Sequence, residues 1–302
     1  MRLKILIDCG NSFLKWVLIC EFYSIKRTYS VSGKLETEIF IKRKKERLLS
    51  TRLLESLKKI SRVCQSRFTT EQLLSCSKVS VSFLNSETIN KQIKKELQAI
   101  FNKKNMQQVE VKKKKEINLN SGLSTVFSVE RNNPQALGRD RWAAMLGLMP
   151  NYIDAKFKEK SVLVISSGTA TVIDRLKIKK SFRNKCKIEF IHLGGFIIPG
   201  ERMMNESLSF LDTKLNGTLR LEPRETQDSI FSGVTLVQTM MLSLGRKDQE
   251  VYLCGGGSDL IMRGHKKFRR LFNNKINIIH DPWLTFKGLN ILADDYFNTP
   301  PF

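Results

Sequence analysis

No CxxC pair occurs among the six cysteines (Cys9, Cys20, Cys64, Cys76, Cys186, Cys254). The three histidines, His192, His265 and His280, lie far apart, so zinc-ligand spacing is absent. Most of the cysteines sit in or beside apolar stretches, where a thiol acts as a small hydrophobe, and a reduced, cytoplasmic protein is expected. Long apolar runs are missing too. None exceeds about six residues, against the roughly 18 needed to cross a bilayer, so no membrane-spanning helix is expected. After Met1-Arg2-Leu3-Lys4, the residues Asp8, Gly10 and Asn11 cut the apolar run too early for an export signal. Acidic residues are few, 29 against 52 basic ones, which leaves a formal net charge of +23. No helix-turn-helix, zinc-finger or RNA-binding signature accompanies that charge. The densest basic runs, Lys42 to Lys45 and Lys112 to Lys115, carry few aromatics. They read as solvated surface that also attracts anionic nucleotides, and no specific nucleic-acid partner is expected.

What is present is a hydrophobic fraction of 41% in 302 residues, enough for two domains with cores of their own. The organising stretch is Val162 to Asp174. Val162 to Ile165 form an unbroken apolar run, Ser166-Ser167-Gly168-Thr169 break it, and Thr171 to Ile173 resume it. That pattern predicts a buried strand, a tight turn and a returning strand. The glycine turn offers backbone N–H groups to a phosphate. The same pattern stands near the start: Leu3 to Ile7, then Asp8-Cys9-Gly10-Asn11-Ser12, then Trp16 to Ile19. Gly10 and Gly168 are the matching pivots, and a duplicated phosphate-turn hairpin implies two similar domains facing each other across a nucleotide.

Between the hairpins, Leu48, Leu49, Leu53, Leu57 and Ile60 keep helical spacing within residues 41–63. Val79 to Leu84 alternate as a strand, Asn85 or Ser86 caps a helix through Ile89, Ile93, Leu97 and Ile100, and Val109 and Val111 suggest another strand. The polar segment Lys112 to Ser124 is the expected boundary, giving domains at 1–124 and 125–302. Gly138 marks a turn before a helix over Arg141 to Leu148, which places Asp140 at a helix N-terminus between two arginines. Gly194-Gly195 and Pro199-Gly200 bracket a short strand, and a helix starts at Gly200 to Met203. Thr226 opens a long helix in which Gly233 allows close backbone approach. Val251 to Cys254 form a strand ending in Gly255-Gly256-Gly257-Ser258 before a helix. Ile276 to Ile279 make the last strand and Phe286 to Ala293 the last helix. Strands alternating with helices predict an α/β protein.

Placed in order, these motifs resemble the type III pantothenate kinases of the sugar-kinase, Hsp70 and actin superfamily. The family's first phosphate motif, D-x-G-N-T-x-x-K, stands here as Asp8, Cys9, Gly10, Asn11, Ser12, Phe13, Leu14 and Lys15. Its G-x-D-R motif is Gly138, Arg139, Asp140 and Arg141. Its second phosphate motif, D-x-G-T-A-T-T, appears as Ser166 to Val172, and G-G-x-I-x-P-G as Gly194 to Gly200. The substrate-side helix start matches Glu225 to Ile230 with Gly233, and the adenosine-side glycines match Gly255 to Gly257. The resemblance implies two ribonuclease-H-like, actin-like ATPase domains with a nucleotide cleft between them, working as a homodimer.

The same resemblance implies transfer of the ATP γ-phosphate to the hydroxyl of pantothenate, the first step towards coenzyme A. ATP would contact residues 8–15 and Thr169, with Asp8 acting through Mg²⁺. Pantothenate would contact Gly138, Arg139, Asp140, Arg141 and Thr226, with Asp140 the general base that orients the alcohol. Two places depart from the family. Ser166 stands where an aspartate commonly supports K⁺ or NH₄⁺, and Arg131 stands where a substrate-side tyrosine is common. Two rivals stay open on sequence alone: a kinase of another small hydroxy substrate, and a catalytically diverged regulatory or nucleic-acid-binding member of the same fold.

Overall fold

The structure is a computed structural model that describes residues 2–22, 27–37, 48–63, 69, 71–72, 77–82, 87–101, 106–118, 124–130, 133–153, 156–181, 187–211, 217–246, 249–272 and 276–296. The chain divides into two compact units. The first comprises residues 1–111, 138–147 and 286–302, and the second residues 112–137 and 148–285. The sequence reading placed one cut between 124 and 125, whereas these units are interleaved along the chain.

The first unit is built on a five-stranded sheet. β1 (Arg2–Cys9) and β2 (Phe13–Phe22) form the first expected hairpin, and β3 (Arg27–Glu36) pairs antiparallel with β2. β4 (Ser77–Ser82) lies parallel to β1, and β5 (Met106–Gln108) parallel to β4. The order is β3-β2-β1-β4-β5. Leu3, Ile5, Ile7, Leu14 and Leu18 point alternate side chains into a core closed by Leu49, Leu53, Leu57 and Ile60 of α1 (Leu48–Val63) and by Ile93 and Leu97 of α2 (Glu87–Gln98). α1 has no acidic residue in its first turn. Glu96 of α2 takes that role, its Oε2 accepting the N–H groups of Leu49 at 2.8 Å and Ser50 at 3.2 Å. The expected caps Asn85 and Ser86 lie outside the described residues, as do Lys42 to Lys45. Val109 and Val111 are buried but follow β5 rather than forming it, since pairing with β4 ends at Gln108.

The second unit repeats this arrangement and adds to it. β8 (Glu159–Ser167) and β9 (Ala170–Ser181) form the second hairpin, and β10 (Lys187–Pro199) pairs antiparallel with β9. β11 (Glu250–Cys254) lies parallel to β8, and β12 (Asn277–His280) parallel to β11. β10-β9-β8-β11-β12 is therefore the pattern of the first sheet over again, the duplication that the two glycine hairpins imply. β7 (Ser124–Val129) extends it parallel to β10, and β6 (Lys114–Asn118) pairs antiparallel with β7 at the edge. The segment read as a polar boundary thus contains an edge strand. Its lysines hide it from pattern reading, and they are what an exposed edge carries to discourage further pairing. The protein is mixed α/β with two ribonuclease-H-like sheets, as expected.

Gly194-Gly195 does not end a strand. β10 runs through both glycines with a bulge between His192 and Gly194, where Gly194 takes φ +107°. The remaining helices relevant to the site are α3 (Arg139–Leu146), α4 (Pro150–Ile153), α5 (Glu201–Ser207), α6 (Thr226–Met240), α7 (Ser258–Lys267) and α8 (Leu284–Tyr296). α6 begins at Thr226 as expected. Gly233 is a correction: a Cβ there would meet nothing within 4 Å, so close backbone approach does not explain it. Among the described residues, no helix is long and apolar enough to cross a membrane.

Candidate active site

The first hairpin turn is held by its own backbone. Gly10 N–H donates to the Phe13 carbonyl at 2.9 Å, so this N–H is not open to a ligand. Thr37 closes the turn from the other side: its Oγ1 donates to the Gly10 carbonyl at 2.8 Å and its N–H to the Ser12 carbonyl at 2.9 Å. Sequence reading gave Thr37 no role, because a lone threonine after a strand carries no pattern. Cys9 and Leu14 are buried in the core, so their side chains cannot reach a nucleotide, and only their backbone can. Asn11 is exposed, Ser12, Phe13 and Lys15 are half-buried, and the Lys34 ammonium lies 5.3 Å from the Phe13 ring centre.

Asp8 is the last residue but one of β1, in register with Lys15 of β2 and Ser82 of β4. Its Oδ1 is buried and meets no hydrogen-bond partner among the described residues. Burial, then the like charge of Asp140, push the Asp8 carboxyl up to about 7, against the lowering pull of Lys15. Burial and Asp8 together push the Cys9 thiol well above its usual range, so it is inert as a nucleophile.

Asp140 stands exposed in the first turn of α3, whose cap residue is Gly138. The Trp142 N–H donates to the Gly138 carbonyl at 3.0 Å, starting the helix. A Cβ on Gly138 would lie 2.6 Å from Asp140 Oδ1, so the absence of a side chain at 138 gives the carboxylate its place. Arg141 is buried and Arg139 half-buried. The first unit therefore brings Asp8, Lys15, Gly138, Arg139, Asp140 and Arg141 into one compact body. Arg131 lies outside the described residues.

In the second unit, Gly168 N–H donates to the Ala170 carbonyl at 3.0 Å, a turn one residue shorter than that at Gly10. Two other glycine segments close on this turn. Gly200 N–H donates to the Thr169 carbonyl at 2.9 Å, and a Cβ on Gly200 would lie 2.2 Å from the Gly168 carbonyl oxygen. Gly255, at φ +90°, would place a Cβ 2.2 Å from the Ser167 carbonyl oxygen, and Gly257 N–H donates to that oxygen at 2.9 Å. The G-G-x-I-x-P-G and Gly255–Gly257 motifs are thus parts of one turn cluster around Thr169. Gln238 of α6 ties it further, accepting from Thr171 Oγ1 at 2.5 Å and donating to the Pro199 carbonyl at 2.9 Å. Sequence reading gave Gln238 no role, because the helix carries many polar residues and this one does not stand out among them.

Thr226 is exposed at the start of α6. Asp228, two residues on, accepts from the Thr218 N–H at 2.7 Å and from Arg220 Nε at 2.5 Å, which holds its carboxyl below the usual range. Among the described residues no three metal-binding side chains cluster. A single carboxylate with an unpartnered buried oxygen, Asp8, suits Mg²⁺ that keeps its waters and rides on phosphates, rather than a protein cage.

The profile of the family described as Type III pantothenate kinase matches residues 4–243. The chain belongs to that family. A Type III pantothenate kinase of Methylobacillus flagellatus is 31% identical over 141 residues, 44% of this chain and 50% of that protein. One of Polaromonas sp. is 30% identical over 173 residues, 55% of this chain and 61% of that protein. One of Wolinella succinogenes is 27% identical over 161 residues, 51% and 61%. The chain thus spans about half the length of the relatives it matches. Among solved structures, component A of the (R)-2-hydroxyglutaryl-CoA dehydratase of Acidaminococcus fermentans aligns over 99% of both chains at 11% identity, with a TM-score of 0.47.

Proposed function

We propose that this protein transfers the γ-phosphate of ATP to the primary hydroxyl of pantothenate. Family membership supports the reaction class, and one observation carries the assignment of roles. Asp140, distant from Asp8 in sequence, lies near enough within one compact unit for its charge to raise the Asp8 carboxyl. Phosphoryl transfer to an alcohol needs such a pair: one carboxylate on the side of the metal-bound phosphates, another to orient the attacking hydroxyl and take its proton.

In this reading Asp140 accepts the hydroxyl proton as the new P–O bond forms and the bond to ADP breaks. Gly138 leaves room for that carboxylate, Arg139 and Arg141 serve the anionic substrate, and the family resemblance assigns Thr226 to the same substrate. Residues 8–15 of the first unit serve the ATP phosphates, Asp8 with Lys15 by side chain and Cys9 and Leu14 by backbone, and the family resemblance assigns Thr169 of the second unit to ATP as well. Mg²⁺ arriving with ATP supplies positive charge to the phosphates and favours the ionised form of Asp8. Positioning is the larger part of the rate.

We also infer a homodimer. Large apolar side chains stand exposed on the second unit, among them Phe196, Ile197, Phe210, Leu211 and Met240, and a second copy is the partner that family resemblance suggests. No specific nucleic acid is assigned. Several lysines of this unit are already engaged, Lys160 with Glu250, Lys177 with Glu159 and Lys187 with Glu189. The deciding experiment is a coupled ADP-release assay, with and without pantothenate and across a panel of other small hydroxy acids and sugars. ADP release that depends on pantothenate supports the proposal. Release driven better by another acceptor, or by none, overturns it.

A further inference from the structure

His192 and Asp174 form a buried pair that the proposed reaction does not use. His192 Nε2 lies 2.8 Å from Asp174 Oδ1, with side-chain exposures of 0% and 3%. A carboxylate and an imidazole in a sheet interior are costly unless paired, so each fixes the other's place. The Nδ1 of His192 meets no partner among the described residues, which leaves Asp174 as the bond that orients the ring.

The pair stands where β9 and β10 change register. On one side of the bulge His192 faces Leu176, and on the other Gly194 faces Arg175 and Gly195 faces Asp174. Beyond the bulge, β10 has no slack. A Cβ on Gly195 would lie 1.9 Å from the Ile173 carbonyl oxygen, Pro199 pairs with Ala170, and Gly200 closes on the Gly168-Thr169 turn. Slippage at the bulge would carry Pro199 and Gly200 away from the turn they support.

We propose that Asp174 and His192 are positioning residues for the second phosphate turn: their bond pins the β10 bulge and thereby sets Gly200 against Thr169. The inference rests on the proposed role of Thr169 in ATP binding. If it holds, replacing both partners by apolar side chains preserves the fold and loses the positioning, which a purely structural pair would not do.

The test uses the full chain with Mg²⁺–ATP, measuring affinity by calorimetry, thermal midpoint, and KM for pantothenate. Asp174→Leu alone should destabilise the protein, since it takes from the buried His192 ring the bond that orients it. The double variant should recover much of the thermal midpoint while binding ATP about tenfold more weakly or worse, with the pantothenate KM little changed. Asp174→Asn keeps an acceptor oxygen for Nε2–H and should retain ATP affinity within about threefold. A folded double variant with native ATP affinity overturns the proposal. Should the double variant not fold, ¹⁵N signals of His192 in the native protein decide: a shift on saturation with ATP supports coupling to the turn, and none overturns it. Failure of the native chain to bind ATP at all would instead sink the kinase reading on which this rests.

Discussion

The Asp8 carboxyl carries a pKa of about 7 because it is buried and because Asp140 places a like charge within reach of it. Asp8 therefore keeps its proton to a much higher pH than an ordinary aspartate, and anything that neutralises Asp140 shifts its pKa down. Asp140→Asn should lower the Asp8 pKa, as followed by carboxyl NMR. The same variant should lose about 10²- to 10⁴-fold in phosphoryl transfer while still binding ATP, because the amide keeps its shape but cannot take a proton. Near-native turnover would rule Asp140 out as the base.

Asp8 also makes a prediction about stability without ligand. Its folded pKa of about 7 lies above the ordinary 3.8, so between those values the folded state holds a proton that the unfolded state has released. Stability from this group is present below the ordinary value and falls as pH rises through the folded one. The loss is at most about 4 kcal/mol, at 1.36 kcal/mol per pKa unit. Asp8→Asn should remove that part of the slope and stabilise the metal-free protein at pH 8, while impairing the use of Mg²⁺–ATP. Urea unfolding at pH 5 and pH 8 checks this, and a less stable variant at pH 8 contradicts it.

Gly138→Ala tests the place given to Asp140. The backbone at 138, φ −56° and ψ 135°, accommodates any residue, so stability should change little. The new Cβ would fall 2.6 Å from Asp140 Oδ1, and the carboxylate must move. Displacement of about 1 Å can cost about 100-fold, so kcat should fall by that order with the ATP KM nearly unchanged. An unchanged kcat would show that the observed Asp140 position is not the productive one.

The two hairpins were legible in the sequence because a strand buried on both faces leaves little choice, and Gly10 and Gly168 punctuate both copies alike. The α6 start and the Asp140 turn were legible for similar local reasons. What escaped depended on distant partners. Lys114 and Lys115 disguise an edge strand, and Gly194-Gly195 reads as a terminator unless the pairing of β9 with β10 is known. Residues 138–147 and 286–302 join the first unit only through tertiary contacts, so no local composition could move the boundary there. Thr37 and Gln238 hold the turns from other elements, which sequence spacing cannot show.

The +23 charge should have little bearing on catalysis. Binding to duplex DNA should be weak, independent of sequence, and lost by roughly 200 mM salt, since contacts to phosphates alone depend on counterion release. A titration of labelled duplexes against salt measures it. Sequence-specific binding that survives such salt would favour a regulatory role.

Ser166 makes the last prediction. In the second sheet it occupies the place that Asp8 has in the first, two residues before the pivot glycine and in register with the neighbouring parallel strand, Cys254 in its case and Ser82 for Asp8. The residue across the hairpin differs: Asp8 faces Lys15, whereas Ser166 faces Val172. A serine offers one neutral oxygen and so holds K⁺ or NH₄⁺ weakly, and the native protein should turn over at similar rates in sodium, potassium and ammonium at fixed ionic strength. Ser166→Asp would place a half-buried carboxylate opposite a valine, where Asp8 has a lysine opposite it. That carboxylate should recruit a monovalent cation, so potassium or ammonium activation should appear in the variant. A strong potassium or ammonium requirement in the native protein would show that backbone carbonyls alone make the site, and the prediction would fail.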